Sequence, residues 1–291
     1  MKHQKILELL IALGLAAVSI LLLRLLIMSD VQGAERLDYL ASADCNQAPA
    51  NQPTSSIYNL DETAEDWGVF CEGLPNWSKE NVTTPTIDGK SLRLSLTGGN
   101  SYSNAHFYNH FPSDPTANEF RLSLNFFFSP TTTFNNEGGL STIQALEFTM
   151  NKWYQGKRYE WAWQWRNVGT GAPQWCYWDP HQIEPWICPG ITATLVTLAG
   201  QQWHSLIMEG KSNNKEQLQY TNFMIDTSSH ALDITVEPTT ISGEPDRLAI
   251  AVQLDGNATQ SPYDVYVDQV TFTRGTVDMA FNRIFLPVIL R

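Results

Sequence analysis

Tyr159, Trp161, Trp163 and Trp165 recur at every second residue. In a β-strand that spacing places four aromatic rings on one face, so the segment argues for an antiparallel sheet with one packed side. Seven of the ten tryptophans fall between Trp153 and Trp186. Trp175, Trp178 and Trp186 follow the stripe in a stretch bracketed by Cys176 and Cys188, and are expected in loops rather than in the packed face.

Short alternating runs of the same kind recur along the chain, separated by Gly, Pro, Asn and Asp, and helix-period patterns are absent beyond residue 56. Leu92, Leu94 and Leu96 alternate with Ser91, Arg93, Ser95 and Thr97. Phe120, Leu122, Leu124, Phe126 and Phe128 alternate with Arg121, Ser123 and Asn125. Further strands are expected at 144–152, 158–166, 203–209, 218–226, 232–236, 247–254 and 263–273. Ten or so strands without helices predict an all-β fold, a two-sheet antiparallel jelly-roll sandwich.

Residues 1–33 read as an apolar leader helix outside that fold. Lys2 and Lys5 precede the stretch Leu9–Leu23, and Val31-Gln32-Gly33 before Ala34 is an acceptable cleavage site for a signal peptide. The alternative is an uncleaved membrane anchor, because the apolar run Ile6–Ile27 reaches 22 residues with Glu8 and Arg24 near its ends. Either reading exports the rest of the chain, as a secreted or cell-surface protein. Residues 34–56 are then a linker, 57–275 the sandwich, and 276–291 an apolar tail or edge strand, with surface attachment as its alternative role.

Without residues 1–33 the chain loses three basic and two acidic side chains, which moves its formal net charge from −12 to −13. So acidic a chain repels phosphate backbones and is a poor partner for nucleic acid. Only 16% of residues are charged, while Asn, Gln, Ser and Thr abound, a balance that favours neutral hydrogen-bonding partners. The four cysteines allow three pairings. Cys45–Cys71 and Cys176–Cys188 each close a local loop and are the expected disulfides; neither pair has the short spacing of a zinc knuckle.

The hairpin 144–166 can be registered on paper. With the turn at Gln155-Gly156, Met150 faces Trp161, Phe148 faces Trp163 and Leu146 faces Trp165. On the other face Glu147 pairs with Gln164, Thr149 with Ala162 and Asn151 with Glu160. Strand 247–255 repeats the design: Leu248, Ile250, Val252 and Leu254 point one way, Ala249, Ala251, Gln253 and Asp255 the other. Alanines beside amides and carboxylates suggest a shallow groove with room for a ligand; the alternative is an ordinary solvated face.

Gln144-Ala145-Leu146-Glu147-Phe148, Asn151, Gly156, Arg158-Tyr159, Gln164, Trp175, Trp178 and Trp186 resemble a bacterial family of secreted jelly-roll domains. Trp203-His204, Tyr220, the run Gln253-Leu254-Asp255-Gly256-Asn257, Pro262-Tyr263 and Asp268 continue the match over about 143–273. That family belongs to the concanavalin A-like lectin/glucanase (LamG-like) class. The resemblance implies a concanavalin A-like sandwich; the family has no established activity, so it implies fold more than function. Trp163 and Trp165 stand where smaller residues are usual in it.

As a pair for hydrolysis, Glu147 and Glu160 fall four residues apart along adjacent strands, roughly 13–14 Å. Retaining glycosidases need about 5–5.5 Å between carboxyls and inverting ones about 6.5–9.5 Å. Glu147 and Asp255 meet only if their strands are neighbours. The acidic strand signature of laminarinase-type glucanases is replaced by Glu147-Phe148-Thr149-Met150-Asn151, which removes the acid/base partner. No serine–histidine–acid motif or phosphate-binding glycine loop is present, His204 reads as a structural side chain, and no cofactor is required. Asp268, with Asp61-Glu62 near the first strand, has two readings of equal standing: it holds a structural calcium, or it caps a backbone turn or faces water.

These features point first to an exported, non-catalytic domain that binds a polysaccharide or other glycan. Glu147, Asn151, Gln164, Gln253 and Asp255 would hydrogen-bond hydroxyls, and Trp175 and Trp178 would stack on sugar faces. One alternative is a glycoside hydrolase or polysaccharide lyase with Glu147 as the catalytic carboxylate. The other is a cell-surface interaction domain without a small ligand.

Overall fold

The hairpin of residues 145–166 forms in the expected register, with Leu146 opposite Trp165, Phe148 opposite Trp163 and Met150 opposite Trp161. Its turn is Gln155-Gly156, both at positive φ (51° and 73°), the two-residue geometry whose twist matches a hairpin. Gln155 lacks glycine's freedom there, and its N–H is held by Asp246 Oδ1 at 2.9 Å.

The computed structural model describes residues 58–128, 144–166, 174–192, 202–213, 216–260 and 262–275. The expected leader, the whole linker and the tail 276–291 lie outside the described residues, as does Cys45. Two short 3-10 turns, Leu60–Glu62 and Ala64–Asp66, precede fifteen strands. These are β1 Gly68–Glu72, β2 Pro75–Val82, β3 Ser91–Gly99, β4 Asn104–Pro112, β5 Glu119–Phe128, β6 Ala145–Tyr154, β7 Lys157–Arg166 and β8 Gln174–Trp178. Then come β9 Trp186–Thr192, β10 His204–Ser212, β11 Leu218–Ile225, β12 Ser228–Val236, β13 Thr239–Thr240, β14 Arg247–Asp255 and β15 Tyr263–Gly275.

They form two antiparallel sheets packed as a sandwich. One has the order β1-β4-β14-β6-β7-β8-β9, with β13 added to β7; the other runs β12-β11-β10-β5-β15-β3-β2. The strands expected within the described residues are all present. Sequence reading missed β1, β2, β4, β8, β9 and β13.

The aromatic stripe faces inward, as parity requires. Trp163 stacks on Phe223 of the opposite sheet with 4.2 Å between ring centroids, Trp161 meets Phe120 at 5.0 Å and Trp165 meets Phe128 at 6.4 Å. Each burial is worth at least the roughly 1.5–3 kcal/mol of a buried Leu or Phe. The two sheets approach so closely that a Cβ on Gly210 would lie 2.3 Å from the Trp161 ring, which leaves no room there for any side chain. Asn109 is a polar intruder in this core: it is fully buried on β4 between Phe107 and Phe111.

Candidate functional site

The same alternation sends the other half of these strands to the outer face of the first sheet. Cross-strand register sorts that face into rows. His106, Gln253, Glu147, Gln164 and Cys176 are successive partners across β4, β14, β6, β7 and β8. The next row is Tyr108, Ala251, Thr149 and Ala162, and the one beyond it His110, Ala249, Asn151 and Glu160. The middle row is therefore a floor of short side chains. Half-buried Tyr108 stands at one end; at the other, Trp178 of β8 lies one residue past the Trp163–Tyr177 pair, with the Tyr220 hydroxyl bridging Ala162 N–H and Trp178 O.

Trp178 is half-buried beside Trp186, with ring centroids 5.0 Å apart. Its carbonyl accepts a 2.8 Å hydrogen bond from the Tyr220 hydroxyl, and the Cys176–Cys188 disulfide ties β8 to β9. This confirms one expected pairing. Cys71 is also disulfide-bonded; its expected partner, Cys45, lies outside the described residues.

The polar row is a connected network. Gln164 Nε2 lies 3.1 Å from Asp255 Oδ2 and 3.5 Å from Glu147 Oε2, bridging the two carboxyls. Gln253 Nε2 donates to Asp255 Oδ1 at 2.5 Å and Thr149 Oγ1 to Glu147 Oε1 at 3.0 Å. Because one nitrogen contacts both, the two carboxyl oxygens are at most about 6.6 Å apart, a ceiling that reaches the spacing of catalytic carboxyl pairs. Asn151 Oδ1 accepts from Arg158 Nε at 2.9 Å, and Arg158 also pairs with Glu160. Glu160 sits in the register four residues from Glu147, as the sequence indicated.

Burial dominates the electrostatics here. It raises the Glu147 carboxyl well above the ordinary glutamate value, and the nearby charges of Asp255, Glu160 and Glu72 add to the effect against the opposing bond from Thr149. It raises Asp255 to about 6, while Gln253 and the charge of His106 pull the other way. Glu72, in β1, is instead lowered, first by its hydrogen bond with His106. A buried carboxyl that keeps its proton can donate as well as accept hydrogen bonds, which suits a partner presenting hydroxyls.

Of the expected site residues, Glu147, Asn151, Gln164, Gln253 and Asp255 come together on one face. Trp175 does not. It is fully buried on the core side of β8, packed on Phe148 and Phe223, so it is no stacking platform. The segment expected to be a loop is a strand, and its parity turns Trp175 inward and Trp178 outward. Sequence reading also missed Glu72, His106 and Tyr108, whose strands it did not recognise. Trp153 is outward-facing, but Arg247 and Arg158 lie over its ring at 4.2 and 5.5 Å, a pair of cation–π contacts that leaves little of the indole to offer.

Asp61, in the first 3-10 turn, and Asp268, in β15, are both fully buried and close enough for their charges to act on one another. Asp268 Oδ2 accepts from Ile87 N–H at 2.7 Å and from Thr86 Oγ1 at 3.0 Å, and Asp61 Oδ1 accepts from Val270 N–H at 2.7 Å. Asp268 Oδ1 and Asp61 Oδ2 are buried without a hydrogen-bond partner among the described residues. Burial raises Asp61 to about 7, with the charges of Asp268 and Asp88 adding to it. Orphaned carboxylate oxygens suit an oxygen-ligated cation, yet among the described residues no group of three His, Cys, Asp or Glu side chains could hold a metal; backbone carbonyls would have to complete the shell. His204 is buried in contact with Asp226, Nδ1 to Oδ2 at 3.0 Å.

No family model matches this chain, and no curated protein matches it. Solved structures similar to it include a carbohydrate esterase from the Shiga toxin-encoding bacteriophage phi24B, at 15% identity and TM-score 0.46 over 77% of this chain and 99% of that one. Alginate lyase Aly36B is 12% identical with TM-score 0.46, over 81% of this chain and 98% of that one. Lectin I-B4 from Griffonia simplicifolia is 11% identical with TM-score 0.44, over 76% of this chain and 100% of that one. Likeness this distant carries no argument about what this chain binds. Among the described residues no helix is long and apolar enough to cross a membrane.

Proposed function

We propose that this chain is an exported carbohydrate-binding domain whose ligand lies on the outer face of the first sheet. The observation that carries this reading is the network Glu147–Gln164–Asp255–Gln253, gathered from three adjacent strands beside the Ala251–Thr149–Ala162 floor. Glu147, Asn151, Gln164, Gln253 and Asp255 hydrogen-bond hydroxyls, and Trp178 stacks on an apolar sugar face. The disulfides support export. The domain boundaries, leader, linker and tail read from the sequence, and membership of the LamG-like family, belong to the same proposal. Affinity electrophoresis through polysaccharide-containing gels tests it. Retention that is lost in Gln164→Ala and Trp178→Ala is the expected result; no retention in any gel sinks the reading.

The Gln164 bridge favours one second reading, a glycoside hydrolase in which the protonated Glu147 is general acid and Asp255 the second carboxyl. Reducing-sugar release from a polysaccharide panel, abolished in Glu147→Gln, would support it; no release would leave binding alone. A structural calcium held by Asp61 Oδ2 and Asp268 Oδ1 is a separate proposal, independent of the glycan site.

A further inference from the structure

Leu74 and Tyr102 are exposed by 48% and 60% and lie on adjoining turns, one between β1 and β2, the other between β3 and β4. Asn100 N–H donates to Leu74 O at 3.1 Å and Leu74 N–H to Ser103 Oγ at 3.1 Å, so the turns are laced together. A second lacing ties the Tyr102 turn to the segment after β14. Tyr102 N–H donates to Asn257 O at 3.0 Å, Ser101 Oγ to Ala258 O at 2.6 Å and Gln260 Nε2 to Ser103 O at 2.9 Å. These bonds hold Tyr102 at φ 59°, a conformation that costs a bulky residue free energy. Folding gains no compensating burial, because most of the ring stays in water.

The turn leads straight into the polar face. Two residues on, Asn104 Nδ2 donates to Glu72 Oε2 at 3.2 Å, and Asn104 is the register partner of Asp255. An exposed, conformationally locked aromatic ring with an apolar neighbour thus stands just before the start of β4, two residues from the register partner of Asp255.

We propose that Tyr102, with Leu74 beside it, is a second stacking platform for the same glycan. This rests on the carbohydrate-binding reading and names the ligand class within it: a polymer rather than a mono- or disaccharide. Tyr102 and Trp178 are four strand spacings and six residue steps apart, roughly 25–30 Å on sheet dimensions, a span only a chain of several sugars covers.

The test uses gels containing laminarin, mixed-linkage β-glucan, xylan, galactomannan or alginate, followed by oligosaccharides of increasing length cut from whichever polymer retains the protein. Tyr102→Gly takes the positive φ without strain, so its Tm should match or exceed that of the unaltered protein. Its affinity for the retaining polymer should fall about tenfold, and the gain in affinity with oligosaccharide length should flatten. Tyr102→Phe should bind like the unaltered protein. Unchanged retention of Tyr102→Gly overturns the inference, and where Trp178→Ala is released from the same gel the groove reading stands. Loss in Tyr102→Phe equal to that in Tyr102→Gly overturns stacking. An unaltered protein retained by no gel overturns both.

Discussion

Trp175 and Trp178 stand three residues apart in β8 and face opposite sides of the sheet. Trp175 is packed on Phe148 and Phe223 in the core, while Trp178 lies half-buried on the outer face against Trp186. An odd separation within a strand requires this. Substitution should separate the two roles. Trp175→Ala opens a core cavity and is expected to cost about 3–5 kcal/mol, read as a lower midpoint in urea unfolding. Trp178→Ala is expected to cost no more than about 1 kcal/mol and to release the protein from the retaining polysaccharide gel. Equal destabilisation by the two would refute the assignment of faces.

Glu147 and Asp255 should make stability depend on pH in a defined direction. Burial raises both, Asp255 to about 6 and Glu147 well above the ordinary glutamate value. The native state therefore keeps protons that the unfolded chain has already released, so the stabilisation is greatest at low pH. It is lost as pH rises from about 4 through the native-state values. The double variant Glu147→Gln, Asp255→Asn removes these two titrations. Its urea midpoint is expected to fall less than that of the unaltered protein between about pH 4 and pH 8. Parallel pH profiles would show that these carboxyls are not desolvated as described.

Strand parity explains why part of this site could be read in advance. Once Gln155-Gly156 is taken as the turn, parity sets both the inward stripe Trp161, Trp163, Trp165 and the outward set Glu147, Gln164. Strand order is not written in such a pattern. Whether Glu147 meets Asp255 depends on β14 lying beside β6, and each strand's alternation is silent about its neighbour. Gln174–Trp178 is only five residues long, too short for alternation to show, so Trp175 reads as a loop residue. In β4 the inward series Ala105, Phe107, Phe111 is interrupted by Asn109, which hides the outward His106 and Tyr108.

Asn109 itself gives a prediction. Its side chain is fully buried, and neither amide atom has a hydrogen-bond partner among the described residues. An unmet buried polar group costs about 1–3 kcal/mol, and replacing it with an apolar side chain of similar shape removes that cost. Asn109→Leu is expected to raise the unfolding free energy by an amount in that range, measured by urea or thermal denaturation. A fall instead would mean that the amide is satisfied, an internal water being the simplest partner.

Asp61 and Asp268 each commit one oxygen to a backbone N–H, and the other is buried without a hydrogen-bond partner among the described residues. A calcium ion between them would use those two oxygens and link the first 3-10 turn to β15. It would bind the folded chain alone, and so raise stability by mass action. Thermal unfolding in millimolar calcium is therefore expected to give a higher Tm than unfolding in a chelator, with magnesium ineffective because it demands a tighter octahedral shell. Asp61→Asn and Asp268→Asn should each abolish the calcium-dependent part of the shift. Identical unfolding in calcium and chelator would leave both aspartates as anchors for the N–H groups of Val270 and Ile87, holding the bulge in β15 and the segment before β3 by hydrogen bonds alone.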